Sequence, residues 1–216
     1  MKLYQSIGPN PRVVLMFLEE KGAVIDRAFV DIMKGENRKP DFVAKNPFGQ
    51  VPLLEMDDGG YLSESTAICG YIEEKFPTPA LIGSTAEERA VTSMLIRRLD
   101  YDVVGPMTTA FRGSEGLPMF QSRMRCLPEA ADGLKAVAQD GLAWLDSLMD
   151  GKEYVCGDRL TIADLVLYCC MDFAAGVGQS LDPSLPNINA WFARMDARPS
   201  AKASLHPAAE KAGRKG

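Results

Sequence analysis

Residues able to do chemistry are sparse in this chain, and the scarcest sets the terms. A single histidine, His206, lies near the C-terminus in SLHPAAEKAGRKG, and the five cysteines (Cys69, Cys126, Cys156, Cys169 and Cys170) include no C-x-x-C pair. A Ser/His/Asp or Cys/His arrangement would depend on a residue in a frayed-looking tail, and a histidine metal cluster is ruled out. An odd set of cysteines, mostly inside apolar runs, reads as reduced, packed thiols. Nothing groups the carboxylates, so no metal is expected. What remains are helix entrances able to hold anions. SIGPNPRVV (6–14) turns into an apolar helical run, and the first N–H groups of such a helix have no internal partner. Pro9 and Pro11 carry no N–H, however, which leaves the question of what donates. In LSES (62–65), Ser65 offers a hydroxyl and an N–H to a carboxylate at a positive helix end, and Glu64 can meet an ammonium.

The elements that must position these groups change character along the chain. KLYQS (2–6), DRAFVDI (26–32), VPLLEMD (51–57) and YLS (61–63) read as strands. PRVVLMFLEEK (11–21) reads as a helix opened by Pro11 and stopped by Gly22, and STAICGYIEEK (65–75) as a helix opened by Ser65. DGGY (58–61) is turn chemistry. The order β-α-β then β-β-α predicts a small mixed sheet carrying helices. From residue 86 only helical spacing appears, in AEERAVTSMLIRRLDYDVVGPMTTAFR and the segments after it. In LTIADL, Thr161 and Asp164 have the spacing of a capping box, with Leu160 and Leu165 as its hydrophobic staple; this is a helix start and not a reactive site. The expected organisation is an α/β domain at 1–78, a proline-marked linker at 79–85 and an all-α domain at 86–216.

Composition narrows the class. A net charge of −5 and a pI near 5.0 argue against general nucleic-acid affinity. No run of about 18 uncharged apolar residues suggests a membrane span. MKLYQSIGPNPR lacks the pattern of a secretory signal, so a cytoplasmic protein with no membrane partner is expected.

Together, NPFGQVPLLE (46–55), LSESTAICGYIEEKF (62–76), YVCGDRLTIADL (154–165) and the opening KLY…PNPRVVLMFLEEKG resemble the cytosolic glutathione S-transferases across nearly the whole chain. That resemblance implies a thioredoxin-like N-terminal domain that binds glutathione and an all-α C-terminal helical bundle contributing the electrophile site. It further implies a cis bond at Val51–Pro52, with the Val51 backbone pairing with the peptide backbone of glutathione. Glu64 and Ser65 would take the γ-glutamyl end. Asn37, Arg38 and Lys39, with Gln50, would hold the glycine carboxylate.

The sulfur site is less settled. A free thiol of pKa about 8.5 is only a few per cent thiolate near neutrality, and lowering that pKa by roughly two units takes about 2.7 kcal/mol. A helix end supplies about 0.3–1 kcal/mol, up to about 2 when partly buried. A hydrogen bond to the anion, worth about 1.5–3 kcal/mol, closes the gap. The usual hydroxyl position of the family falls on Gly8, which has no side chain. Three sources stay open: the Asn10 amide; a water or Arg112 network like that of a bacterial and fungal subgroup lacking a direct Tyr, Ser or Cys donor; and Ser6 or the backbone alone. The resemblance places a small hydrophobic electrophile against Gly8, Tyr101, Phe111, Arg112 and Ser114. It implies conjugation, with glutathione-dependent disulfide or peroxide reduction and non-catalytic glutathione binding as alternatives, and a homodimer.

Overall fold

The change of hydrophobic period near residue 86 has a counterpart in space. The computed structural model describes residues 1–206. Its chain divides into one unit of Met1–Ile82 plus the segment from Arg198 onward, and a second unit of Gly83–Ala197.

In the first unit, β1 (Lys2–Gln5), α1 (Pro9–Lys21) and β2 (Asp26–Phe29) form a crossover, and β1 and β2 are parallel. Parallel neighbours cannot be joined by a tight turn, so α1 supplies the return path. The polar stretch that follows contains a short 3-10 turn, Glu36–Arg38, and a one-turn helix α2 (Pro40–Val43). Next come β3 (Leu53–Glu55), β4 (Tyr61–Ser63) and α3 (Ser65–Lys75). The four strands lie in the order β2-β1-β3-β4, with β3 antiparallel to both β1 and β4. This is the thioredoxin-like arrangement. Val13, Val14, Met16, Phe17 and Leu18 of α1 and Ile68, Cys69 and Ile72 of α3 are buried in its core.

Several boundaries differ from the sequence pattern: β1 ends at Gln5, β2 at Phe29 and β3 at Glu55, each short of the segment that reads as strand. α1 begins at Pro9 and not at Pro11, because Gly8 takes the N-cap position with φ 136° and ψ 164°. β3 begins at Leu53, since Pro52 has no N–H for the ladder; the Val51–Pro52 bond is cis, as is Thr78–Pro79. The second unit spans Gly83–Ala197, and the described residues from Arg198 to His206 group with the first unit. That segment is tied to α1: Arg198 donates to both carboxylate oxygens of Glu20 at 2.7 and 2.8 Å, and Arg12 donates to the Ala201 carbonyl at 3.0 Å. His206, expected in a frayed tail, instead stacks on Phe29 with ring centroids 4.7 Å apart.

The first unit is stitched by a buried ion pair between Lys21 of α1 and Glu73 of α3, whose side chains are 0% and 3% exposed. Lys21 also donates to the Pro79 carbonyl, and Glu73 accepts the Ile82 N–H at 2.9 Å and the Leu81 N–H at 3.3 Å. The pair therefore fixes where the chain leaves α3.

The second unit is helical: α4 (Ala86–Leu99), α5 (Gly105–Gly113), α6 (Leu117–Phe120), α7 (Ala131–Leu148), α8 (Ile162–Gly176) and α9 (Pro186–Asp196). A short helix α10 (Pro199–Ala203) belongs to the first unit. α8 is the buried centre of the second unit. The capping box forms as spaced in the sequence: the Asp164 carboxylate accepts the Thr161 N–H at 2.8 Å, the Val155 N–H at 2.8 Å and the Trp191 indole N–H at 3.0 Å. Between α4 and α5 the helix widens into a π turn, Asp100–Val104. Pro106 has no N–H to return to the Asp102 carbonyl, and that carbonyl lies against Gly141, where an added Cβ would sit only 2.2 Å from it.

Two stability outcomes follow. Glu73→Ala leaves a buried ammonium without its counter-charge and is expected to cost about 3–5 kcal/mol in denaturant unfolding, most of it recovered when Lys21→Met is added. Gly141→Ala forces a side chain onto backbone and is expected to cost about 1–3 kcal/mol by the same measurement.

Candidate functional site

Strand register alone brings the first-unit candidates together. Tyr4 pairs with Leu53, and Leu53 with Ser63, so the C-terminal end of β1, the N-terminal end of β3 and the C-terminal end of β4 share one edge of the sheet. β2 is parallel to β1 with Gln5 opposite Phe29, so the segment carrying Asn37, Arg38 and Lys39 leaves from the same edge. The α1 entrance, the Val51–Pro52 bond, the Glu64–Ser65 turn and the 31–39 segment thus converge, although they are far apart in sequence.

At the α3 entrance the backbone is strained. Glu64 is the non-glycine residue with positive φ among the described residues, at φ 71° and ψ 120°. Such conformations are sparsely populated and cluster at functional sites. Glu64 occupies the N-cap position of α3, which opens at Ser65. The Glu64 carbonyl accepts from Ile68, and the N–H groups of Ser65, Thr66 and Ala67 have no partner among the described residues. The backbone N–H and C=O of Val51 are likewise unpaired there. Sequence inspection finds Glu64 by its charge; it does not find the strain, because Glu-Ser carries no turn signal.

The 46–50 loop is folded by two asparagines. Asn46 Nδ2 donates to the Gln50 carbonyl at 2.8 Å, and Asn37 Nδ2 donates to the Gly49 carbonyl at 2.7 Å. Asn37 and Asn46 are both buried, and their amides clamp the loop that leads to Val51; no motif in the sequence marks Asn46. Arg38 crosses the same loop, with Nη1 3.3 Å from the Phe48 carbonyl. Lys39 lines a separate groove of about 220 Å³ with Tyr4, Phe29, Phe42 and Lys45, which includes neither Val51 nor Ser65. Gln50 is exposed. The four proposed carboxylate ligands are therefore not equivalent: Arg38 and Gln50 flank Val51, while Asn37 supports it from below.

The α1 entrance is poor in N–H groups. Gly8 caps, Pro9 and Pro11 have none, and the Arg12 N–H is taken by the Gly8 carbonyl at 3.3 Å, which leaves Asn10 as the free first-turn donor. Asn10 is exposed and, among the described residues, its amide has no hydrogen bond. Gly8 lacks a side chain for a conformational reason. Its φ of +136° disfavours any Cβ, although the space beside it is open, with Pro11 Cδ the nearest atom at 4.0 Å. Beneath the entrance lie two groups of unequal visibility. Ser6 is 3% exposed and its Oγ has no partner; Arg12 is 4% exposed, its guanidinium bonded to Ala201 and Ser204. Arg12 was missed, although a lone cation in PRVVLMFL is a signal of a buried charge.

The second-unit candidates are described within that unit. Arg112 on α5 is partly buried, and burial draws its pKa down. Its guanidinium stands 5.6 Å from the Phe120 ring and has no carboxylate partner among the described residues. Phe111 is enclosed by Phe120 and Phe173, at 5.9 and 4.9 Å between centroids, so its ring packs in the core. Ser114 Oγ donates to the Ala110 carbonyl at 2.7 Å and contacts Glu115, whose carboxyl is held down to about 2 against its own burial by Lys135 and Ser114. Tyr101 is 58% exposed under the Arg97 guanidinium. No group of three or more His, Cys, Asp or Glu suited to a metal occurs among the described residues, and no described helix is long and apolar enough to cross a membrane.

With this geometry in hand, the comparisons are direct. Residues 1–74 match the family model for the glutathione S-transferase N-terminal domain, and residues 110–199 that for the C-terminal domain. Glutathione S-transferase 2 of Saccharomyces cerevisiae is 34% identical over 202 residues, covering 92% of this chain and 86% of that one. The crystal structure of Gtt2 from the same yeast superposes with a TM-score of 0.88 at 33% identity, covering 95% of this chain and all of that one (100%). Human elongation factor 1-gamma is 31% identical over 173 residues, covering 78% of this chain but 37% of its own length. The chain belongs to the glutathione S-transferase family.

One consequence concerns the strained turn. Glu64→Gly relieves a positive-φ conformation and is expected to stabilise the fold by about 1 kcal/mol in thermal or denaturant unfolding. A loss of stability would show that Glu64 is held by compensating contacts.

Proposed function

We propose that the protein binds glutathione at this sheet edge and stabilises its thiolate for attack on a small hydrophobic electrophile. The observation that carries the reading is the set of backbone groups, unpaired among the described residues, that are brought to one edge: those of Val51 and the N–H groups of Ser65, Thr66 and Ala67 at a positive helix end. Val51 suits a peptide backbone, as an added strand would. The α3 entrance suits the γ-glutamyl carboxylate, with the Glu64 carboxylate for its ammonium. Arg38 and Gln50, beside Val51, suit the glycine carboxylate. Asn10 is the first choice for the hydrogen bond to sulfur, because its amide is exposed and uncommitted where the helix has few N–H groups. Arg112 is the second, as a partly buried cation with no carboxylate partner among the described residues. Tyr101 and Ser114 would contact the electrophile. A homodimer in the cytoplasm accords with the family.

Gly8 supports a second reading, glutathione binding without activation, since no side-chain hydroxyl stands at the usual position. Titration of thiolate absorbance in the glutathione complex separates the two. Activation predicts a bound thiol pKa well below the free value, and Asn10→Ala is expected to raise it by about one unit, tenfold in thiolate fraction near neutrality. Conjugation with an aryl halide should fall in parallel. An unchanged titration in Asn10→Ala and a change in Arg112→Ala would move the donor to Arg112. A bound thiol with the free pKa in the unaltered protein would favour binding alone. Faster turnover of hydroxyethyl disulfide than of aryl halide would make reduction the main activity.

A further inference from the structure

We propose that the groove between α2 and the sheet face carrying Tyr4 binds a free aromatic amino acid, its ring against Tyr4 and Phe42 and its two charges on lysine and aspartate side chains of the rim. The groove measures about 220 Å³, and its lining residues all belong to the first unit. It includes neither Val51 nor Ser65, so the proposal stands or falls apart from the glutathione reading. Pockets for drug-sized molecules run from about 300 to 1,000 Å³, so this one suits a smaller molecule.

Strand register makes the floor aromatic. Tyr4 pairs with Leu53 across β1 and β3, and side chains alternate between the two faces of a strand, so Tyr4 and Leu53 share a face. There Phe42 of α2 packs with Leu53 and Val30, and Tyr4 lies against this cluster. The Tyr4 and Phe42 rings meet edge to face, 84° apart with centroids at 6.3 Å. Phe42 is buried, whereas Tyr4 stays partly open to solvent. A third ring laid against this pair gains burial together with the edge-to-face or offset geometry that aromatic groups favour.

The rim carries charge of both signs. Lys45 is held in place: its Nζ donates to the Tyr4 hydroxyl at 3.1 Å and stands 4.8 Å from the centre of that ring, while the Tyr4 hydroxyl donates to Glu55 at 2.7 Å. The bond to Tyr4 raises the Lys45 pKa and keeps the ammonium charged, with further N–H groups left for a ligand. Lys39 and Asp41 line the same groove, and neither side chain has a hydrogen bond or ion pair among the described residues. Glu36, the other carboxylate of the lining, accepts the Asp31 N–H at 2.9 Å. A simple aromatic acid would be opposed by Asp41 and Glu36, and an aromatic amine by the two lysines. A zwitterion with its carboxylate toward Lys45 and Lys39 and its ammonium toward Asp41 leaves neither sign opposed.

The test is calorimetric titration of the full chain with L-tryptophan, with indolepropionate, which lacks the ammonium, and with tryptamine, which lacks the carboxylate. L-tryptophan is expected to bind about fivefold more tightly than either analogue, the factor that one exposed charge pair supplies. Lys45→Met is expected to weaken L-tryptophan about fivefold without weakening tryptamine, and Asp41→Asn to weaken it about as much without weakening indolepropionate. Saturating S-methylglutathione is expected to leave the L-tryptophan affinity unchanged. No binding of L-tryptophan overturns the proposal. So does indolepropionate binding as tightly as L-tryptophan, which would make the groove a site for aromatic acids. An equal loss of all three compounds in either variant also overturns it, because the side chain would then shape the groove without reading a charge. Displacement of L-tryptophan by S-methylglutathione would move the amino acid to the Val51 edge and overturn the proposal as well.

Discussion

A backbone N–H or C=O removed from water must find a partner, and the first unit is organised by where that rule is met and where it is not. Ladder bonds join the four strands, the 46–50 loop is closed by the side chains of Asn37 and Asn46, and Glu73 of the Lys21–Glu73 pair accepts the N–H groups of Leu81 and Ile82. Among the described residues, Val51 and the opening turn of α3 bring N–H groups without a partner to one edge of the sheet. A ligand rich in amide and carboxylate groups completes that edge as a strand and a helix cap would.

The two helix entrances differ in how they handle charge. At α3, Glu64 takes a positive φ at the position just before a helix turn whose first N–H groups have no partner among the described residues. At α1 the two prolines remove N–H groups, and the positive charge comes instead from Arg12, buried below the first turn. Polarity at α1 is therefore carried by side chains, whereas at α3 it is carried by the backbone. An anion at α1 would be met by an amide, a hydroxyl and a guanidinium in place of helix N–H groups.

The Val51 loop shows why buried amides matter to a site they do not touch. Asn37 and Asn46 each spend a donor on a carbonyl of the loop and so set its path without facing outward. The strain at Glu64 and the width of the π turn at Asp100–Val104 are similar cases, in which a local cost is held in place by packing elsewhere.

Much of this was legible in the residues themselves. The β-α-β and β-β-α order, the turn at DGGY, the capping box at Thr161–Asp164 and the change to helical spacing near residue 86 all follow from periods and local propensities, which act within a few residues. Glu64, Ser65 and Val51 could be singled out because charge, cap preference and a proline leave marks in the sequence. Tertiary structure decided what depends on distant neighbours. It placed Asn37 as a clamp, directed Lys39 into a separate groove, buried Arg12 against Ala201 and Ser204, and returned Arg198–His206 to the first unit. It also left the Ser6 hydroxyl without a partner among the described residues. None of these is visible locally, because each depends on which groups, up to nearly two hundred residues apart, arrive at the same atom to pair with it or leave it bare.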